Sequence, residues 1–223
     1  MPNHRSLDGS GLGAHTSIIR QMEVELRELG FHPAYDVVVN PEFPPSGNWG
    51  VAEIRVGSDS AETLVIKVLP NAAEPWVGFF ACESRGLLVG LYACPNPEHL
   101  LVVTGIEAYL LRVNQPQDKR RLAVHPITAA NRPSGTDLVV VGSFTELAAI
   151  DAFGLLWITD RLFNDDLELT AGPPGKVYVQ GSRADPSIDP EVLTIDPATG
   201  KVIAGEPYSS RALGRPRWHR DGK

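Results

Sequence analysis

Short runs of β-branched and aromatic residues, separated by glycine, proline, asparagine and serine, recur along most of this chain. Runs such as Tyr35–Val39 and Trp76–Cys82 are typical of strands, and the residues between them are typical of turns. Because almost no helical segments separate the runs, the pattern favours antiparallel sheets. The sequence therefore predicts a mainly β fold: an antiparallel sandwich, a barrel or a small propeller-like array. We expect strands at 35–39, 49–56, 63–69, 76–82, 87–93, 100–104, 108–113, 122–125, 138–143, 155–159, 167–170, 177–181, 192–196 and 201–204.

Two segments predict helices instead. Across 16–29, apolar residues recur at three- and four-residue spacing, and Gly30 follows where a left-handed residue often ends a helix. Across 145–152, the good helix formers glutamate, leucine and alanine follow a threonine that can cap a helix. We therefore expect an N-terminal amphipathic helix and a short second helix. The Pro-Ala-Thr-Gly sequence at 197–200 predicts a hairpin turn, because proline fixes φ at its start and glycine allows positive φ at its end.

The domain organisation follows from length and linker content. The chain has 223 residues and no long Pro-rich or Ser-rich linker, which favours one β-rich domain, placed here at 16–208. Residues 1–15 are rich in glycine, serine and histidine, so we expect a disordered arm. Residues 209–223 are rich in arginine, so we expect a flexible basic tail.

The expected location is cytoplasmic. Residues 1–13 lack the apolar core of a signal peptide, and no apolar stretch in the sequence is long enough to span a membrane. In a reducing compartment, Cys82 and Cys94 are expected to be reduced thiols in the β core. The alternative is a bridge between neighbouring strands, which needs closely spaced Cα atoms.

Charge and motifs limit the partners. The formal net charge is −7, and an acidic protein repels the phosphate backbone of nucleic acids. Gly9, Gly11 and Gly13 lack the preceding strand of a dinucleotide-binding fingerprint, and no Walker-type phosphate loop occurs. We therefore expect no cofactor and no nucleic-acid partner. Trp218 beside Arg217 in the basic tail is a candidate anchor for a protein partner.

The acidic stretch 160–168 is the main candidate for catalytic chemistry, because dense carboxylates bind hard cations and can orient a water for hydrolysis. The candidate metal ligands are Asp165, Asp166 and Glu168. The candidate catalytic residues are Asp160, Asp165, Asp166 and His125, with His99 as an alternative histidine. The stretch also has a structural interpretation, in which a strand and a turn carry solvated acids that pair with a neighbouring arginine. In that interpretation Trp157 lies on the strand and Arg161 is the pairing arginine. Trp157 and Arg161 are also candidate binding residues, together with Arg217 and Trp218. The structural interpretation of His125 is a hydrogen-bonded core or rim residue.

A motif of Gly-Leu-x-Trp, Arg-Leu and Asp-x-Leu, followed by an Asp-x-x-Thr-Gly hairpin, lies in the second half of the chain. Its residues are Gly154, Leu155, Trp157, Arg161, Leu162, Asp165 or Asp166, Leu167, Asp196, Thr199 and Gly200. The chain resembles, in these elements, a set of uncharacterised bacterial β-rich proteins. The resemblance extends over about 86–205; it implies a β-rich fold and implies no activity.

Two hypotheses of function follow. The first is a non-catalytic intracellular binding or interaction protein, of an accessory or immunity type, whose partner is another protein or a second copy of the chain. Negative charge, the lack of catalytic motifs and the aromatic residues near strands favour it. The second is a metal-dependent hydrolase that uses the acidic stretch 160–168.

Overall fold

The computed structural model describes residues 17–18, 24–57, 62–83, 87–170, 172–182 and 191–205. Strands make up 53% of these residues, and none of them is helical. The mainly β prediction is therefore confirmed. The strands are Ser17–Ile18 (β1), Leu26–Arg27 (β2), Tyr35–Val39 (β3), Ala52–Val56 (β4), Glu62–Pro70 (β5), Trp76–Cys82 (β6), Val89–Ala93 (β7), His99–Thr104 (β8), Ala108–Arg112 (β9), Gln115–Arg121 (β10), Ala129–Asn131 (β11), Val139–Gly142 (β12), Leu147–Asp151 (β13), Gly154–Ile158 (β14), Asp165–Thr170 (β15), Val177–Ser182 (β16), Glu191–Ile195 (β17) and Val202–Ala204 (β18).

The strands form four sheets that follow one another along the chain. Sheet 1 contains β1 and β3 to β6, and sheet 2 has the order β10-β9-β8-β7-β2. Sheet 3 is β11-β12-β13-β14, and sheet 4 is β15-β16-β17-β18. Neighbouring strands are antiparallel except for β1 with β5, β2 with β7 and β4 with β6. The part of the chain that the structure describes contains no closed barrel, so the barrel alternative is not what these sheets form.

Each pair of consecutive sheets shares one hydrophobic core. Neighbouring residues of a strand point to opposite faces of its sheet. On β8, Leu100 therefore faces the core between sheets 1 and 2, and Leu101 faces the core between sheets 2 and 3. On β13, Ala148 faces that second core and Ala149 faces a third core between sheets 3 and 4. Sheets 2 and 3 are consequently buried on both faces.

The predicted helix at 145–152 is wrong. Leu147–Asp151 is the strand β13, paired with β12 on one side and β14 on the other. Four consecutive residues of β13 have no exposed surface, because the strand lies between two cores. The small alanines allow the neighbouring sheets to approach. Burial on both faces outweighs the intrinsic preference of alanine for helices, which is a weak tendency.

The predicted helix at 16–29 is wrong wherever its residues are described; 16 and 19–23 lie outside the described residues. Leu26–Arg27 is a strand that adds to the edge of sheet 2 in parallel with β7. The side chains of Val24 and Leu26, two positions apart, pack on the first core, as the alternation of a strand requires. Gly30 has the expected left-handed backbone, with φ of 78°, but it lies in a turn that follows a strand.

The boundaries differ most around 114–125. Residues 114–121 fall between two predicted strands, yet Gln115–Arg121 is the edge strand β10, paired with β9. It has no buried residue, so hydrophobic patterning could not reveal it. The predicted strand at 122–125 is irregular instead. Leu122 and Val124 are nevertheless buried in the second core, which explains their apolar character.

Several expectations concern residues outside the described part: the arm 1–15 and the tail 209–223, with Arg217 and Trp218. Within the described ranges, no helix is long and apolar enough to cross a membrane. Cys82 and Cys94 are buried, and neither forms a disulfide. They belong to the first and second cores respectively, as expected for reduced core cysteines. Burial raises the pKa of each thiol to about 12.

Candidate functional site

The acidic stretch lies along the start of sheet 4, where its side chains make local hydrogen bonds. The Asp166 carboxylate accepts from Ser182 Oγ at 3.0 Å, and the Glu168 carboxylate accepts from the amide of Gln180 at 3.0 Å. Both acceptor residues are exposed, as are Asp160 and Asp165. All four carboxylates are therefore solvated, and those of Asp166 and Glu168 are also hydrogen-bonded to neighbours on their own sheet.

The predicted metal and catalytic residues do not gather into one site. Within the described residues, no group of three or more histidine, cysteine, aspartate or glutamate side chains could hold a metal ion. His125 is exposed, so it is not a core histidine. Arg161 donates to the carbonyl oxygens of Phe163 at 2.9 Å and Asn164 at 2.7 Å. It thereby closes the loop that leads into β15.

Trp157 connects sheets 3 and 4. Its indole Nε1 donates to the carbonyl oxygen of Pro197 at 2.8 Å, and its ring packs against Gly200, where an added Cβ would lie 2.7 Å from the ring. Gly200 ends the hairpin turn predicted at 197–200, in which Gly200 N donates to Asp196 O at 2.8 Å. Two parts of the resemblance motif thus meet in one contact. Trp157 has a packing role here.

A cleft of about 390 Å³ opens between the rims of sheets 2 and 3. The wall formed by sheet 2 is polar. His99 of β8 lies opposite Arg112 of β9, and Arg120 of β10 lies opposite Leu110 of β9. All four side chains therefore share one face of sheet 2 and line the cleft. The sheet 3 side is the tight turn between β13 and β14. Polar groups therefore border one wall of the cleft, and an apolar turn forms the other.

Phe153 projects from that turn. Its side chain is 97% exposed, which is unusual for phenylalanine. The backbone beneath it is fixed: the Asp151 carboxylate accepts from Phe153 N at 2.7 Å and Gly154 N at 3.0 Å. Across the cleft, Asn96 Nδ2 donates to the carbonyl oxygen of Ala152 at 3.0 Å. The ring is consequently presented to solvent on a rigid support.

Further apolar surface continues from Phe153 along the edge strand β14. Leu156 is 42% exposed and Ile158 is 39% exposed. β14 has no further strand of sheet 3 beyond it among the residues described. An edge strand with exposed apolar side chains is a surface that proteins usually cover.

His99 lies at the base of the cleft and is only 7% exposed. Its Nδ1 is buried without a hydrogen-bond partner, whereas buried ring nitrogens are normally satisfied. Burial lowers the pKa of His99, and the positive charge of Arg112 lowers it further, against the opposing effect of nearby acids such as Glu98 and Asp118. The imidazole is therefore neutral at pH 7 and can act as donor or acceptor.

The rim of sheet 2 is basic although the chain is acidic. β10 ends in Lys119, Arg120 and Arg121. Arg121 pairs with Glu107 at 2.7 Å, and Arg112 pairs loosely with Asp118 at 3.4 Å. For Lys119 and Arg120, the described part of the chain supplies no carboxylate within 4.0 Å. Of these two cations, Arg120 lies on the face of the cleft, so it keeps positive charge without a paired carboxylate beside the apolar turn.

Sequence reasoning missed most of this cleft, although two signals were present. The Asp-Ala-Phe-Gly sequence at 151–154 has the composition of a tight turn, which would place a phenylalanine at a loop tip. The Lys-Arg-Arg run at 119–121 contrasts with the acidic average of the chain. Of the predicted site residues that the structure describes, only the alternative histidine His99 lines the cleft.

Comparison with known proteins gives no family assignment: no protein-family model matches this chain, and no curated protein matches its sequence.

Proposed function

We propose that this chain is a non-catalytic intracellular binding protein that docks a protein partner along the rims of sheets 2 and 3. The observation that carries the proposal is Phe153, a 97% exposed aromatic ring on a backbone fixed by Asp151 and Asn96. Exposed aromatic residues beside a polar rim are typical of interface anchors. We name the surface formed by Phe153, Leu156 and Ile158 the apolar edge.

The energetics support an interface. Burying a phenylalanine side chain contributes about 1.5–3 kcal/mol relative to leaving it in water. Because the turn that carries Phe153 is already rigid, binding loses little backbone entropy there. The basic rim of sheet 2 beside the apolar edge supplies the polar border that surrounds the buried centre of most interfaces.

We also infer that the architecture is the small propeller-like array. The support is the order of the sheets: four sheets follow the chain and pack face to face in sequence. A two-layer sandwich has a single core between its layers, whereas here three cores separate four layers. Such an array offers clefts between neighbouring sheets, and the proposed docking site is one of them.

The proposal is tested by comparing two serine variants of the tagged protein. Phe153→Ser removes the anchor, and Ile203→Ser removes a residue that is 52% exposed on sheet 4. Affinity purification from the native host should recover one stoichiometric partner with the wild type and Ile203→Ser, but not with Phe153→Ser. The purified partner should then bind the purified wild type without any other protein. Its affinity for Phe153→Ser should be at least about tenfold lower.

A concentration-dependent dimer that Phe153→Ser abolishes would identify the partner as a second copy of the chain. Equal recovery of a partner by both variants would refute docking at the apolar edge. Thermal unfolding of both variants verifies that each is folded. The alternative, a metal-dependent hydrolase, requires ligands that converge, and the described residues offer no such group.

A further inference from the structure

We propose that the partner is acidic, and that a carboxylate on an extended segment of it enters the cleft between Arg112 and Arg120 while an apolar residue beside it packs on Phe153. This inference rests on the proposed function and adds the chemistry of the partner. It follows from three features of the cleft: its uncompensated charge, its weakly held internal ion pair and its buried histidine.

The charge of the cleft favours a carboxylate. The charged residues that line it are Arg112, Arg120 and Asp118. Arg112 pairs with Asp118, whereas the described part of the chain supplies no carboxylate within 4.0 Å of Arg120. Lys119 and Arg121 flank Arg120 on β10, but they lie opposite Leu111 and Tyr109, which face the first core, so both belong to the other face of sheet 2. Arg120 therefore attracts a carboxylate over the short range that salt leaves unscreened.

The existing ion pair inside the cleft is easily exchanged. Arg112 and Asp118 are 3.4 Å apart, and their side chains are 51% and 61% exposed. Pairs this exposed contribute little to stability, because water solvates both charges. A partner carboxylate can therefore take the place of Asp118 on Arg112. A planar guanidinium binds a carboxylate through two parallel hydrogen bonds.

His99 adds a polar side chain to the base of the cleft. It is 7% exposed and lines the cleft, and its unpartnered Nδ1 is itself buried. A neutral imidazole beside two arginines adds a hydrogen-bonding group without adding charge. The cleft thus combines cations that hold a carboxylate with a neutral polar side chain at its base.

A protein segment fits these features better than a nucleic acid. Binding to a phosphate backbone needs many cations along one face, whereas the cleft has two arginines and one of them is already paired. Its other wall is the apolar turn of Phe153, which continues into Leu156 and Ile158. A peptide that alternates acidic and apolar residues complements both walls.

The test uses the full chain and defined probes. Random peptides displayed on phage are selected against the wild type, Arg120→Glu and Lys201→Glu. The last variant changes the net charge by the same amount at an exposed position of sheet 4. We expect the wild type and Lys201→Glu to enrich peptides rich in aspartate, glutamate and apolar residues, and Arg120→Glu to lose that enrichment.

An enriched peptide, its lysine-substituted counterpart and a single-stranded oligonucleotide are then titrated by NMR. The acidic peptide should perturb the resonances of His99, Arg112 and Phe153. The Arg120→Glu substitution should lower the affinity for this peptide at least about tenfold. Equal binding of the lysine counterpart, tighter binding of the oligonucleotide, or no enrichment of acidic peptides would overturn the inference. In each case a partner that still depends on Phe153 in the purification above would leave the proposed function intact.

Discussion

Two aromatic residues on the hairpin of β13 and β14 have opposite environments. Trp157, near the end of β14, donates to Pro197 and packs on Gly200 of sheet 4. Phe153, at the turn, is 97% exposed. Both are large and apolar, so residue type alone does not distinguish a structural aromatic from an interface anchor. What distinguishes them is the neighbour: sheet 4 covers Trp157, and no described residue covers Phe153.

The largest expected effect concerns Trp157. Trp157→Ala should lower the free energy of unfolding by about 3 kcal/mol, because it removes a large packed side chain and leaves a cavity between sheets 3 and 4. Phe153→Ala is the matched change at the turn, and it should cost less than about 0.5 kcal/mol, since an exposed side chain contributes little to stability. Urea unfolding measures both values. Similar losses of unfolding free energy in the two variants would contradict the distinction between a packed Trp157 and an unpacked Phe153.

The contact partner of Trp157 gives the next largest effect. Gly200→Ala should cost about 2 kcal/mol, because a Cβ would contact the indole and because the backbone is left-handed. Gly200 has φ of 69° and its added Cβ would lie 2.7 Å from the ring. Gly175→Ala is the control, since Gly175 has φ of 77° with no atom within 4 Å of an added Cβ.

Gly175→Ala therefore reports backbone strain alone, at about 1 kcal/mol. Making Gly200→Ala in a Trp157→Ala background should reduce its cost to that of the control. If the cost of Gly200→Ala is unchanged in that background, the indole does not constrain the turn.

His99 lines the same cleft as Phe153, and it should give a smaller effect on the free energy of unfolding, one that depends on pH. Burial and Arg112 lower its pKa from the ordinary 6.5, opposed by Glu98, Asp118 and Asp151. Below pH about 6.5 the unfolded chain therefore binds a proton that the native chain does not, so the free energy of unfolding decreases as the pH falls towards the native pKa. His99→Gln should make this part of the pH dependence shallower.

Urea unfolding at a series of pH values from neutral to mildly acidic provides the measurement. His125→Gln serves as the control for the substitution itself, because His125 is an exposed histidine. If His99→Gln keeps the slope of the wild type, the cleft does not bury His99 in its neutral form.

The smallest expected effect contrasts the acidic start of sheet 4 with the basic rim of sheet 2. Adding Mg²⁺, Mn²⁺, Ca²⁺ or Zn²⁺ should leave the melting temperature unchanged, because the carboxylates of Asp166 and Glu168 are engaged with neighbours on their own sheet. A ligand that binds only the native state raises its stability. A clear rise that Asp166→Asn removes would favour the hydrolase instead.

The sequence predicted best the strands that carry runs of β-branched and aromatic residues. Trp76–Cys82, which is mostly buried, and Tyr35–Val39, which is only partly buried, were both predicted with their observed bounds, because each has such a run. β10 was missed because all of its residues are at the surface, where patterning carries no signal. β13 was mistaken for a helix because alanine is a strong helix former. In this strand Ala148 and Ala149 instead allow close packing against the sheets on either side.

The candidate site was less predictable, because it depends on exposure and on sequence-distant neighbours. The acidic stretch attracted attention through its density of carboxylates, yet density alone does not make them converge. In the sequence, Phe153 is one phenylalanine between an alanine and a glycine. Its exposure becomes visible only in the structure, where the Asp151 carboxylate fixes the turn that carries it. The burial of His99 arises from the packing of sheet 2 against sheet 3, which no local pattern reports.

The central claim is that Phe153 contacts a protein partner. A photo-crosslinking phenylalanine analogue at position 153, and the same analogue at Phe43, which is 55% exposed at a distant loop, test it in the native host. We expect the analogue at position 153 to crosslink to one protein, and we expect the analogue at position 43 not to crosslink to that protein. No crosslink from position 153, or the same crosslinked proteins from both positions, would contradict the account.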